Sequence, residues 1–502
     1  MAVDLLIISA TWTALRIDEI HRFGRSQTPG RGHLYPYNPN RVTHLARSLG
    51  PEKIAWRVRQ AGYTSRVLYF AHFYTHDQFK QLIAKFVGPK TIVAVSSVFV
   101  NDVPGIKSIV DVMKHYIPKE NKTLIGGQSA ATWSNFALQN YNYKFDFVIN
   151  GFAENDIVHF MNKHLNNGIQ KKIVPHWEIT SCDFRWSEDA LIFPTEALPL
   201  ETARGCIFEC KFCRYNMLGK KKGTYTRDVG LIKEELLYNY EKFGVTDYVI
   251  VDDTFNDTPE KVEAWAEMVS TLPFKIRYAA YLRVDLLHRY PHTIDLLKQS
   301  GLKATHFGIE TIHPEASKII GKGWSGKHAE TFVPYIRDVL WNKEVLVHIS
   351  LIAGFPRESI EHWEYTRQWV VKNKITCYYR ALDIQLKRRV VIGETNVKMG
   401  TSIFDREAEH YGYKLIEQPG VIDSWEIGDI KKADADVFVE KCNYEFEQFS
   451  QIPPFNAFEV TALGVPFEEI LSRSRFDVYS DRSLYKKAEQ MVDQYVKKLL
   501  SC

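Results

Sequence analysis

Nothing in the 502-residue chain has the length of apolar sequence, roughly 18 residues, that a bilayer-spanning helix requires. No membrane partner is therefore expected. Charge of one sign is lacking too. Lys plus Arg is 64 and Asp plus Glu is 60, a net of +4, too even to argue for nucleic acid on charge alone. The apolar start, Met1 to Ala10, is short, carries Asp4 and has no basic leader. It does not read as an export signal, and a cytoplasmic, reducing location is expected. There is neither an internal repeat nor a low-complexity tract. Cysteine is sparse and odd in number, seven in all, which excludes a disulfide framework. Yet Cys206, Cys210 and Cys213 crowd into a single short loop, and that clustering needs a chemical reason.

What is present fits an ordinary globular protein of two or three domains, with 45% hydrophobic and 25% charged residues. The first part alternates short β-branched runs with helical patterns. Strands are expected at Leu5–Ser9, Ser65–Tyr69, Ile92–Val98, Thr123–Ile125 (running into Gly126-Gly127) and Phe145–Asn150. Val42, Leu45 and Leu49 predict a helix over Arg41–Leu49. Gly50-Pro51 would stop it and start a second helix ending near Gly62. His21 to Asn40, rich in Gly, Pro and Arg, reads as a long loop. The βαβα order implies a doubly wound parallel sheet over residues 1–166. An irregular linker follows at 167–197. A second series occupies 198–390, with strands at Leu198–Thr202, Asp247–Val251, Lys275–Leu282, Ala304–Ile309, Val345–Ile352 and Cys377–Ile384. Helices lie between them, among them Asp228–Phe243, Thr258–Ser270 and Glu358–Lys372. The fold class is thus α/β: the doubly wound sheet plus a partial (β/α)6 barrel of the TIM type, whose site belongs at the C-terminal strand ends. Residues 391–502 form a mixed region, broken at Pro453-Pro454.

The cysteines are spaced C-x3-C-x2-C, in Arg204-Gly205-Cys206 through Cys210-Lys211-Phe212-Cys213. Thiolates suit iron–sulfur clusters and zinc. A closed zinc site wants four ligands, whereas three thiolates on a four-iron cluster leave one iron open for a substrate. The loop follows a predicted strand, at the barrel mouth.

This segment, with Phe212 before the last cysteine, resembles the signature of the radical S-adenosylmethionine (SAM) superfamily. The resemblance implies a 4Fe–4S cluster on Cys206, Cys210 and Cys213, and SAM on its open iron. It also implies reductive cleavage of SAM to a 5′-deoxyadenosyl radical and an external electron donor such as flavodoxin or ferredoxin. Four strand ends agree. Val251-Asp252-Asp253-Thr254-Phe255 resembles the D-D-x-F segment, with Asp252 or Asp253 accepting from the SAM ammonium or capping a helix. Arg283 would pair with the SAM carboxylate or with a neighbouring acid at the helix start. His306-Phe307-Gly308-Ile309-Glu310-Thr311 resembles G-I-E-[ST], with Glu310 on the ribose or amine, and Lys322-Gly323 follows. Ile352-Ala353-Gly354-Phe355-Pro356 resembles G-F-P, with Ile352, Gly354 and Phe355 against adenine. The resemblance nominates no general base, and His306 and His348 read as satisfied core histidines.

The N-terminal part, with Ser97 in Val95–Phe99, Gly126 and Gly127 before Gln128-Ser129, and Gly151 to Glu154, resembles the cobalamin-binding domain that precedes many such barrels. It leaves two readings open: a cobalamin-dependent methyltransferase, or a cobalamin-free isomerase, cyclase or oxidoreductase. A cluster-bearing binding or regulatory protein is the alternative outside catalysis. Glu19 to Gly24 is superficially close to D-x-H-x-x-G but lies too far past the first strand. A methylthiotransferase needs an N-terminal cysteine triad, and only Cys182 precedes the barrel. Lys220 to Lys222, and Arg22, Arg25, Arg31 and Arg41, read as solvated basic turns or as contacts to a nucleotide or nucleic acid. Cys442 and Cys502 read as ordinary thiols. The substrate, small-molecule or nucleotide-type, is not named by the sequence.

Overall fold

The computed structural model describes residues 2–9, 45–98, 103–127, 130–215, 219–221, 223–384, 402–416 and 424–501. The His21–Asn40 loop, the Glu19–Gly24 segment, Phe99, Gln128, Ser129, Lys222, Cys502 and the four loop arginines lie outside them. No helix among the described residues is long and apolar enough to cross a membrane.

Two parallel sheets organise the chain. The first holds β1 (Leu5–Ile8), β2 (Ser65–Leu68), β3 (Ile92–Ser96), β4 (Thr123–Gly127) and β5 (Phe147–Asn150). Its order, β2-β1-β3-β4-β5, is the flavodoxin-like one, with the chain reversing direction between β1 and β3. Leucine and isoleucine make up β1, and isoleucine, valine and alanine most of β3, as strands buried on both faces require. The second sheet holds β6 (Ala197–Leu200), β7 (Asp247–Ile250), β8 (Arg277–Leu282), β9 (Leu302–Glu310), β10 (Leu346–Ala353) and β11 (Thr376–Ala381). These pair in strict sequence order, so each strand is followed by its helix, as in a partial barrel. The expected strands and helices match these bounds closely. Asp228, Thr258 and Ser359 cap the helices Val229–Phe243, Pro259–Ser270 and Ile360–Asn373 by accepting from a first-turn amide.

The structure corrects one expectation. Residues 45–48 are not helical, and the helix starts at Leu49 and runs to Gln60. Gly50-Pro51 therefore opens this helix without closing another. Proline is tolerated in a first turn, where its missing amide has no partner to lose.

Segment 167–197 is no loose tether. Cys182, Phe184 and Trp186 are fully buried, and Glu196 receives a two-pronged bond from Arg47 at 2.6 and 2.8 Å. The C-terminal region is divided in space. A small antiparallel sheet of β12 (Lys414–Ile416), β13 (Ser424–Ile427) and β14 (Ile430–Lys431) sits beside the barrel. The helix Pro454–Ala462 packs on β6 through β10. The last helix, Arg482–Ser501, docks on the first sheet's side, with Tyr495 bonded to Val67 and Tyr69.

Candidate active site

The loop after β6 is held by its own backbone. Arg204 N–H donates to Tyr225 O (2.8 Å), Lys220 N–H to Cys206 O (3.0 Å) and Lys211 N–H to Ile320 O (3.0 Å). Gly205, at φ +133°, makes the bend that brings Cys206 under the loop. Cys206 and Cys210 are buried and Cys213 half-buried. Burial raises the Cys206 thiol and pushes Cys213 up to about 11. An iron ligand reverses that, since metal binding expels the thiol proton. Arg283 Nη1 stands 3.4 Å from Cys210 Sγ, and Thr254 Oγ1 3.6 Å from Cys206 Sγ. Among the described residues no three His, Cys, Asp or Glu side chains gather around the point a single ion would occupy. Three thiolates carried on one loop suit a cluster, in which each thiolate takes its own iron, better than a closed zinc site of four ligands.

The strand ends sort the sequence-nominated residues. Asp252 is buried and fully engaged: it accepts from Thr202 N (2.8 Å), Ala203 N (2.9 Å), the Thr202 hydroxyl and Lys261 Nζ (2.9 Å). It anchors the root of the cysteine loop. Asp253 is open at the mouth. Its surroundings still desolvate it and push it up to about 6, against a hydrogen bond from Tyr215. Of the pair, Asp253 is the one left to meet a ligand ammonium. Arg283 is spent locally, on Asp285 (3.1 and 2.7 Å), on Lys322 O (2.6 Å) and on the Phe208 ring (3.8 Å). This is the neighbouring-acid pairing, and it ties Arg283 to the cluster loop.

Glu310 is 6% exposed with φ +66°, an expensive backbone for a side chain with a Cβ. Lys322 lies 3.4 Å from its carboxylate and Ser350 Oγ 3.2 Å. A Cβ on Gly308 would fall 2.6 Å from Glu310 Oε1 and 3.1 Å from Lys322 Nζ, so the carboxylate–ammonium pair lies over this glycine. Glu358, expected from the sequence only as the first residue of a helix, accepts from Gly354 N, Phe355 N, Trp363 Nε1 and Thr311 Oγ1 at 2.6 to 3.1 Å. It fixes the ends of β9 and β10 together. Gly354, at φ +106°, has Trp425 where a Cβ would go, 2.4 Å away. The ring that needs this glycine is thus the protein's own. Phe355 is fully buried and Phe212 meets it edge-on at 5.7 Å, while Ile352 is 1% exposed. Tyr215 and Trp425 were missed; neither lies in a motif, and only the folded chain brings them to the strand ends.

At the first sheet's mouth, buried Ser97 donates to Gly126 O (2.9 Å). Gly127, at φ +128°, would place a Cβ 2.9 Å from Ser97 Oγ and 3.1 Å from Val98 N. Val98 and Phe152 are exposed there, at 48% and 39%. This mouth is clasped to the cysteine loop. Arg204 pairs with Glu201 (2.7 Å) and Glu154 (2.8 Å) and lies 4.4 Å from the rings of both Phe152 and Trp177. Lys53 also bonds Glu201. Burial alone would raise Glu201, but Lys53 and Arg204 bring it down to about 2.

Comparison with known proteins supplies a frame for this geometry. Residues 200–370 match the radical SAM superfamily. An uncharacterized methyltransferase of Pyrococcus horikoshii is 26% identical over 202 residues, 40% of this chain and 41% of that one. The bacteriochlorophyllide d C-12(1)-methyltransferase of Chlorobaculum tepidum is 21% identical over 183 residues, 36% and 39%. The chain spans about two fifths of the length of these curated relatives. Among solved structures, the radical SAM methyltransferase TsrM from Kitasatospora setae, with cobalamin and a [4Fe-4S] cluster bound, superposes with a TM-score of 0.58 at 12% identity. The match covers 96% of this chain and 99% of that one. The cobalamin-dependent radical enzyme OxsB, with aqua-cobalamin bound, gives 0.55 at 13% identity, covering 99% and 72%. Identities this low speak for the fold alone, and that fold is the two-sheet arrangement seen here. Residues 200–370, which match the radical SAM superfamily, thus fall within a six-stranded partial barrel that a flavodoxin-like sheet precedes.

Proposed function

We propose that this protein is a radical SAM enzyme in which Cys206, Cys210 and Cys213 hold a 4Fe–4S cluster, and that its leading reaction is cobalamin-dependent methyl transfer. The carrying observation is the three-cysteine loop at the C-terminal mouth of a six-stranded partial barrel. When bound, the cluster supplies the single electron that splits SAM into methionine and a 5′-deoxyadenosyl radical. An external donor provides that electron.

The chain's own residues bind and orient. Asp253 and Glu310 offer carboxylates to the ammonium and ribose of SAM. Arg283 holds the cluster loop by its bond to Cys210, and the Glu358-fixed turn at Gly354-Phe355 walls the adenine side. Apolar Val98 and Phe152, with the Ser97–Gly126–Gly127 turn, give the first sheet a mouth that suits a large, flat cofactor. Arg204 and Glu154 hold that mouth against the cluster loop. Exclusion of water between the two mouths protects a radical intermediate.

The test is anaerobic reconstitution with iron, sulfide and hydroxocobalamin, followed by desalting and assay of 5′-deoxyadenosine with SAM and reductant. Expected are cluster iron, about one cobalt per chain and deoxyadenosine formation. The C206A/C210A/C213A variant should lose iron and SAM cleavage; iron retained by that variant overturns the cluster assignment. Iron and deoxyadenosine without cobalt would overturn methyl transfer through cobalamin and leave isomerase, cyclase or oxidoreductase chemistry.

A further inference from the structure

The inner face of the barrel sheet carries side chains that the strand-end chemistry does not use. Register sets them in rows. Tyr281 stands beside His306, and His306 beside His348. Nearer the mouth, Ser350 stands beside Tyr378, and then Ile352 beside Arg380. The alternate residues, such as Phe307, Ile349 and Cys377, point the other way and are fully buried, as a two-residue period requires. The helix Pro454–Ala462 crosses the sheet, and its Phe455 meets Tyr281 edge-on at 4.5 Å.

Three features of this face ask for a ligand. His306 and His348 stack at 4.8 Å with Nδ1 to Nδ1 at 2.9 Å, so one ring donates there and the other accepts. Burial keeps both neutral, reinforced at His306 by Lys322 and Arg380 and at His348 by His306 and Arg475. His348 is 2% exposed, yet its Nε2 has no partner among the described residues. A satisfied core histidine does not leave a buried ring nitrogen bare. Next, Arg380 is exposed and makes no ion pair among the described residues. Finally, Tyr378 is 47% exposed on a face otherwise closed toward its floor.

We propose that the face from Tyr281 across His306 and His348 to Tyr378 and Arg380 is the substrate subsite, and that it takes a planar aromatic compound bearing one carboxylate or similar anion. A planar guanidinium with no ion pair among the described residues matches a carboxylate in two-pronged fashion. Tyr281, Phe455 and Tyr378 offer aromatic surface against which a flat ring stacks or packs edge-on. The neutral imidazole pair serves a ring N–H or O–H by hydrogen bonding and offers no charge to a second anion. The row at Tyr281 and His306 lies below Glu310 on the same strands, deeper than the groups assigned to SAM.

The inference rests on the radical SAM reading, and one preparation tests them separately. The full chain, reconstituted without oxygen, is titrated with 2-naphthoate, 2-naphthamide and cyclohexanecarboxylate by calorimetry in saturating SAM. Expected is binding of 2-naphthoate, with each control weaker by about ten-fold or more and R380Q weakened by about as much. Equal affinity for the acid and the amide, loss of 2-naphthoate binding when SAM is added, or unaltered binding in folded R380Q would each overturn the proposal. Should R380Q not fold, the comparison of the three ligands in the wild-type protein still decides. Iron content and deoxyadenosine formation are read on the same sample. Both present without naphthoate binding removes the substrate class alone, whereas both absent removes the enzyme reading.

Discussion

The two sheets share a parallel architecture, and Arg204 joins their C-terminal ends through Glu201 and Glu154, but they furnish those ends differently. The barrel's strand ends carry buried Asp252, Arg283 and Glu310 and half-buried Glu358, each bonded to a neighbouring strand end or to the cysteine loop. The first sheet's ends carry Ser97, Gly126, Gly127 and exposed Val98. Fixed charges in a desolvated mouth suit a zwitterion such as SAM, because their orientation is prepared before binding. Small and apolar ends suit a bulky cofactor held by shape. The comparison teaches that one parallel-sheet plan can be furnished in two ways, and that the side chains at the strand ends decide which.

If the barrel mouth is the more tightly built of the two, its glycine should be the less forgiving. Gly354→Ala sets a Cβ 2.4 Å from the Trp425 ring at φ +106°. Backbone strain and overpacking together should cost about 3 kcal/mol in urea unfolding. Gly127→Ala meets the movable Ser97 hydroxyl first and should cost about 2 kcal/mol. The reverse order would break the comparison. Next in size, Glu310→Gln should weaken SAM binding about ten-fold, or ~1.4 kcal/mol, with iron content intact. Unchanged affinity would remove Glu310 from the SAM site.

A further prediction concerns acid. His306 falls from its ordinary value of 6.5 to about 3 because of burial, with Lys322 and Arg380 adding to it. Above pH 6.5 neither folded nor unfolded chain binds this proton, and the stability is intact. Between pH 6.5 and 3 the unfolded chain takes it up and the folded one does not, so stability falls as pH falls, by at most about 1.4 kcal/mol per unit. Urea unfolding of His306→Gln between pH 7 and 5 should give a shallower slope than the wild type. An identical slope would mean that His306 titrates normally in the fold.

Much of this was legible in the chain because it is local. Each strand of both sheets is a short β-branched or apolar run, and a run such as Ile92–Ser96 advertises itself without its neighbours. The cysteine loop is legible for the same reason, since three thiols between Cys206 and Cys213 need no tertiary contact to be recognised. The helix that Gly50-Pro51 opens was legible, whereas the one expected over Arg41–Leu49 was misread, because the spacing of Val42, Leu45 and Leu49 imitates a helical period and residues 45–48 are not helical. Asp252 and Asp253, adjacent in sequence, could not be told apart until Thr202, Ala203 and Lys261 were seen to surround one and Tyr215 the other.

The sequence by itself determined the α/β class, the order of the two sheets and the three thiols, because hydrophobic period and ligand spacing act over a few residues. Only the tertiary structure decided that Glu154 reaches Arg204, that Trp425 fills the space over Gly354, and that His306 bonds His348 inside the barrel. Those partners lie tens of residues apart. Their meeting depends on strand register and on how helices pack across the sheets, which is set by burial summed over the whole chain and not by any local pattern.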